Sequence, residues 1–569
     1  MRANDQSRAL TSARFTQPES MKTDHYVDDV DVVDGNDAWA LFCAAFDGDE
    51  EVVRELVAKD LRLVNAEFWY QYPIHNAVRG NHTNIVRILL DAGAEPGRSR
   101  FMFNSWHKLV PMAKERGYTE VVEVLESTLA QRYGYSPDFE PLAEAIRSRN
   151  RDAIEAILSD TPELAKASDV RGNNAIHWAV MTRQLWLIDR MTDFGANADA
   201  ERADGKTPLI LSLTGDYWYR WRRDLPTTSI REPMVVTGYL LANGAKYVLS
   251  AACALGDEEQ VAAILRDDLG AANRLDSARV SPLTMAARRG ALNIVKMLLE
   301  RGADPNRPEN AAERGAALYE ASRGNYLDIA RTLLEAGADP SQSYDSSGCC
   351  LSIVEHRHGE ANAHLEMQAL LREYGAVDQD YMLSTDDVRR EFENNAASAV
   401  EKLAARLWEC DDFDLFRRTV EAHPAHVQDF AGGLLNQPGP RTREAIRLLV
   451  EHGYDPNRTD WLGKSALHIA AESGNIEAAE ALLDAGADID AIEYEDGGTP
   501  LAGAARNGQT AMIRFLLERG ADVNAAQGDW AKPLRRATTP NADYPKHKPA
   551  LPPCSEEVAA LLREHGATA

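Results

Sequence analysis

Ser465-Ala466-Leu467-His468-Ile469-Ala470-Ala471 leads to Leu482-Leu483 and Gly486-Ala487-Asp488. The same wording then returns as Thr499-Pro500-Leu501-Ala502-Gly503-Ala504-Ala505, Leu516-Leu517 and Gly520-Ala521-Asp522. The two Gly-Ala-Asp triplets lie 34 positions apart, Asp488 to Asp522. Each part of the wording has a physical reason. Pro500 stands where the first residue of a helix needs no amide donor, and Thr499 before it is a capping residue. Ala470-Ala471 and Ala504-Ala505 are small where two helices must approach closely. Ile476, Leu482 and Leu483 give the second helix an apolar stripe at helical spacing. Gly486 stops that helix, because glycine enters the left-handed region without steric cost. No such unit buries its apolar face alone, so it needs neighbours.

The glycine-alanine signature recurs at Gly93-Ala94-Glu95, Gly195-Ala196-Asn197, Gly244-Ala245-Lys246, Gly302-Ala303-Asp304, Gly337-Ala338-Asp339, Gly375-Ala376 and Gly566-Ala567, with Gly453-Tyr454-Asp455 as a variant. This period and wording resemble the ankyrin repeat, a β-turn followed by two antiparallel helices. The resemblance implies an all-α ankyrin-repeat solenoid with β-turn fingers, about fifteen repeats between Asp37 and the C-terminus. It implies no universal activity, cofactor or substrate, and it puts specificity in the variable finger and helix positions.

Four units lack the Thr-Pro-Leu-His start and end in a different wording, at Leu61-Arg62-Leu63-Val64, Pro162-Glu163-Leu164-Ala165, Leu269-Gly270-Ala271-Ala272 and Pro424-Ala425-His426-Val427. More regular units follow each, so the chain reads as four tandem blocks: 37–137, 138–245, 246–383 and 384–569. The second block carries an insertion rich in aromatic residues and arginine at 214–235. The fourth has a degenerate start and a Pro/Lys-rich insertion at 538–554. Loops that lengthen at a unit's edge cost little chain entropy and are where function concentrates. Residues 1–36 read as a disordered polar tail, with Met21 an alternative start. The segment 377–425 is the least repeat-like and the expected place for a hinge.

Over 569 residues the formal net charge is −27, which opposes a phosphate-binding surface and excludes a nucleic-acid reader as the leading idea. The six cysteines have no Cys-x-x-Cys spacing and read as reduced packing residues. No stretch approaches the ~20 apolar residues of a membrane span, and the first thirty-five residues lack the apolar core of a secretory signal. A cytoplasmic monomer is expected, with no membrane contact.

Two strings, Gly205-Lys206-Thr207 and Gly463-Lys464-Ser465, imitate the end of a phosphate-binding loop. The glycine needed five positions earlier is replaced by Ala200 and Arg458, so both read as the turn and cap that open a repeat. His75, His177 and His468 occupy the histidine position of the motif, where the resemblance implies a structural role. His356, His358 and His364 are too irregularly placed for a metal site to be expected. No catalytic residue, metal or cofactor is expected.

The aromatic residues carry the functional expectation. Seven of the ten tryptophans precede Asp224. Trp69, Tyr70 and Tyr72 fall on one finger, and Phe103, Trp106 and His107 on the next. Trp178 takes the helix position that the resemblance makes an exposed concave-face site, and Tyr217, Trp218, Arg220 and Trp221 sit in the insertion. Exposed Trp, Tyr and Arg are enriched at binding hot spots, though aromatic packing between fingers is the competing explanation. The expected function is a non-enzymatic scaffold holding protein partners in the concave groove of the first repeats. The alternative is a pocket for a small polar ligand, a sugar or an anionic metabolite, with His107 or a carboxylate doing acid-base work.

Overall fold

The computed structural model describes residues 17, 21–22, 24–27, 31–68, 71–98, 106–216, 219, 224–230, 232–310, 312, 314–342, 344, 348–356, 364–376, 413–427, 441–460, 462–539 and 556–568. The chain divides into two units, Thr23–Tyr381 and Met382–Ala569 with Met1–Lys22. Much of the 377–425 segment lies outside the described residues, although helix Phe413–Ala422 is formed.

Antiparallel helix pairs build both units. In the first unit the inner helices Leu249–Leu255, Pro282–Arg289, Ala317–Gly324 and Cys350–His356 pack side by side. The outer helices Glu258–Asp267, Leu292–Glu300, Leu327–Glu335 and Leu365–Glu373 do the same behind them. In the second unit the inner row is Ala466–Ser473, Pro500–Arg506 and Pro533–Thr538. Each unit has its own core, drawn from the small inner alanines and the large outer aliphatics. Ala470, Ala471, Leu482, Ala504 and Leu516 are all fully buried in the second.

The caps follow the sequence. The Thr499 hydroxyl accepts from the Ala502 amide at 3.3 Å, the Ser281 hydroxyl from Thr284 at 3.1 Å, and Pro500 and Pro282 open their helices. Gly486, at φ 93°, ends its helix in the left-handed region.

A second device clasps one repeat to the next. Asn306 donates from Nδ2 to the Gly337 carbonyl at 2.8 Å and accepts from the Asp339 amide at 2.8 Å. Asn273 does this to Gly302 and Asp304, Asn457 to Gly486 and Asp488, Asn65 to Gly93 and Glu95, and Asn524 to Gly566 and Thr568. A carboxamide carries a donor and an acceptor on one planar group, so a single side chain satisfies both backbone groups.

The units with the variant ending show why they differ. Their terminal wordings fold as 3-10 turns at Leu61–Asn65, Pro162–Lys166 and Leu269–Asn273, and Pro424–Val427 forms a short helix. Order also begins before the position expected from the polar head. Asp24–Val27 pairs antiparallel with Asp31–Asp34, and the Asp34 carboxylate accepts from the Asn36 and Asp37 amides to cap helix Gly35–Asp47. The disordered reading of 1–36 therefore fails over this hairpin. Its strand signal is the aromatic and β-branched content of Tyr26, Val27, Val32 and Val33.

Candidate functional site

Of the expected site residues, Trp69, Tyr70, Phe103, Tyr217, Trp218, Arg220 and Trp221 lie outside the described residues. The others are packed. Phe68 and Gln71 bridge across the finger turn, and Tyr72 caps helix Pro73–Arg79 with only 1% of its surface exposed. Trp106 is the first residue of helix Trp106–Glu115, not part of a finger, and is fully buried. His107 follows it with a buried ring. Burial, then the charges of Arg171 and Lys108, push its pKa down to about 3. Such an imidazole stays neutral near pH 7 and is a poor proton shuttle there.

Trp178 is 6% exposed, so it is not an open concave-face aromatic. Its indole N–H donates to Asp169 at 3.1 Å, the Arg147 guanidinium lies over its ring at 4.9 Å, and Tyr219 of the insertion meets it edge-on at 5.8 Å. Three groups from other elements cover it, and the motif position alone shows none of them.

Behind this contact lies a buried ion network that the sequence reading missed. Asp216, the third residue of the insertion, is held by Arg171 at 2.7 Å and Arg202 at 2.8 Å, and its side chain is fully buried. Arg202 also grips Asp204 at 2.6 Å and donates to Asn173 at 2.9 Å. Burial alone would raise the Asp216 pKa, but the Arg171 and Arg202 charges outweigh it and hold the carboxyl far below its usual range. Asp204 is held at about 2 against the same burial, chiefly by Arg202. Lys206 donates from Nζ to the Gly215 carbonyl at 3.1 Å, and burial lowers its pKa. The insertion thus starts by folding back on the fingers 169–173 and 202–206. A cavity of about 520 Å³ remains among Met181, Lys206, Leu211, Asp216, Tyr219 and Pro233. Chemically the network is a set of buried carboxylates held by paired guanidiniums.

The motif residues prove architectural. Thr207 caps helix Pro208–Thr214, Lys464 pairs with Glu472 at 2.8 Å, and Ser465 caps helix Ala466–Ser473, so both Gly-Lys-Thr/Ser strings are finger-to-helix turns. His177 accepts at Nδ1 from the amide of its own cap residue Asn174 at 3.3 Å and donates from Nε2 to the Lys206 carbonyl of the next finger at 3.0 Å. His468 does the same with Ser465 and the Gly498 carbonyl. Burial lowers them to about 3 and about 4, so each bridges as a neutral ring. Among the described residues no group of three or more His, Cys, Asp or Glu converges on a metal-holding geometry. His358 lies outside them. No helix of the described residues is long and apolar enough to cross a membrane.

The family model for ankyrin repeats matches in three copies, at residues 13–100, 248–344 and 440–527. The B-cell lymphoma 3 protein homolog of Mus musculus is 41% identical over 76 residues, 13% of this chain and 17% of that protein. Intracellular phospholipase A2 of Caenorhabditis elegans is 35% identical over 79 residues, 14% of this chain and 7% of that protein. The chain therefore spans less than a fifth of either relative. The crystal structure of the human ASB11 ankyrin repeat domain is 16% identical, covering 42% of this chain and 98% of that one at a TM-score of 0.25. With three matched copies, stacked helix pairs and finger turns in register, the chain belongs to the ankyrin-repeat family.

Proposed function

We propose that the chain is a non-enzymatic interaction scaffold, acting in the cytoplasm, that holds a protein partner along its inner helices. Ankyrin repeats generally mediate protein–protein interaction, and the observation that supports a groove here lies in the Met382–Ala569 unit. On adjacent inner helices Ile469, Glu472, Gly503 and Arg506 form a row that is neither in the core nor freely solvated. Glu472 is paired with Lys464, and Arg506 with Asp496. Gly503 has no side chain of its own, and Glu472 lies across it, 2.9 Å from where a Cβ would stand. An apolar residue flanked by held charges gives a partner both a contact area and a charge pattern to match.

The test is affinity capture with the full chain and with a Glu472→Arg, Arg506→Glu variant whose circular dichroism is unchanged. Loss of specific partners from the variant supports the groove. An identical partner set on both proteins rejects it.

A further inference from the structure

The two Gly-Lys-Thr/Ser turns fold alike but their lysines end differently. In the later turn Lys464 reaches eight residues on, to Glu472 in the last turn of helix Ala466–Ser473, and pairs with it at 2.8 Å. Eight residues beyond Lys206 stands Thr214, the last residue of helix Pro208–Thr214. It carries no charge, and its hydroxyl donates back to the Ile210 carbonyl at 3.0 Å. The Lys206 ammonium bonds the Gly215 carbonyl at 3.1 Å instead, which uses one of the three N–H donors of an ammonium group. Lys206 forms no ion pair among the described residues.

The carboxylates around it are spent elsewhere. Asp204 is gripped by Arg202 at 2.6 Å. Asp216 is held between Arg171 and Arg202, and its side chain has no exposed surface, so its charge does not face the cavity. Asp276 turns Oδ1 to the Ala278 and Val280 amides at 2.9 and 3.0 Å. Burial is the largest influence on both lysines and disfavours the charged form of each. Lys464 is nonetheless raised, by the charge and hydrogen bond of Glu472. Lys206 is lowered: Asp204 and Asp216 pull it up, but Arg202 and Arg288 oppose them. A carboxylate at contact distance would restore to Lys206 what Glu472 gives Lys464.

A cavity stands where that carboxylate is missing. Lys206, Thr214 and Gly215 all border the space of about 520 Å³, and Lys206 keeps accessible surface. Met181, Leu211, Leu213, Pro233 and Val236 supply apolar wall. Volume and lining are those of a small-molecule site with one charged anchor.

We propose that this cavity binds a small organic carboxylate, whose oxygens accept from Lys206 Nζ while its hydrocarbon body lies along Met181, Leu211 and Val236. The experiment is saturation-transfer NMR on the full chain with phenylacetate, phenylacetamide and phenethylamine, matched in shape and different in charge. A hexaglutamate peptide is the arm for a carboxylate carried by a protein. Phenylacetate is expected to bind best. Lys206→Gln, which keeps the backbone carbonyl that His177 uses, should weaken it about tenfold, the size of one lost charged hydrogen bond. Thr214→Glu, which puts a carboxylate where the later repeat has Glu472, should pair with Lys206, raise the melting temperature and block phenylacetate. Thermal melts check that both variants fold. No transfer from phenylacetate at millimolar concentration, equal transfer from phenylacetamide or phenethylamine, undiminished binding in either variant, or binding of hexaglutamate alone would each overturn the proposal.

Discussion

Asp490 stands where Asn306, Asn457 and Asn524 stand in other repeats, two residues past the Gly-Ala-Asp aspartate or its equivalent. It accepts from the Asp522 amide at 3.0 Å but has no N–H to offer the next glycine carbonyl. Burial, then the charges of Asp522 and Asp488, raise its carboxyl against the pull of that amide. A raised carboxyl costs stability once ionised. Asp490→Asn should therefore stabilise the Met382–Ala569 unit by about 0.5–1 kcal/mol at pH 7 and by less at pH 4, read from urea denaturation. Glu493 makes the same argument with a larger shift. Burial, with Asp496 and Glu495 close by, pushes it up to about 7 although the Glu495, Asp496 and Gly498 amides donate to it. Its folded value lies above its unfolded value near 4.5. The stability it contributes is thus full below that value and is lost as pH rises through about 7. The urea midpoint should fall between pH 5.5 and pH 8, and Glu493→Gln should flatten that fall. An equally steep decline in the variant would place the titration elsewhere.

Among elements, the helix pairs were legible because their signals are local: a cap, a proline, paired alanines, a leucine stripe and a stopping glycine all lie within one repeat. What covers a repeat is not local. Trp178 could be placed on its helix, but Arg147, Asp169 and Tyr219 come to it from three other segments. The Asp216 network depends in the same way on two fingers that stand 31 residues apart in sequence, at Arg171 and Arg202. The cavity at Lys206 was not legible either, because its walls belong to different repeats. Leu482 and Leu516, fully buried between helices, should each cost about 2–5 kcal/mol when replaced by alanine. Asn306→Ala removes two hydrogen bonds at once and should cost about 1–2 kcal/mol, with faster hydrogen exchange at the Asp339 amide. Unchanged exchange there would show that the clasp carries no tension.

Across the whole molecule, Thr23–Tyr381 and Met382–Ala569 have separate cores, and within each unit a repeat leans on its neighbours. Unfolding should therefore not be two-state. Fluorescence dominated by tryptophans of the first unit, among them Trp39, Trp178 and Trp186, should change at a different denaturant concentration from the helical circular dichroism of the full chain. Coincident curves would mean that the units unfold as one. The asparagine clasps add a direction to this coupling. Each reaches only toward the C-terminus, taking hold of the glycine carbonyl and the amide of its successor. The repeat at Gly302–Asp304 is gripped from upstream by Asn273 and grips downstream through Asn306, so fraying there unhooks both neighbours at once.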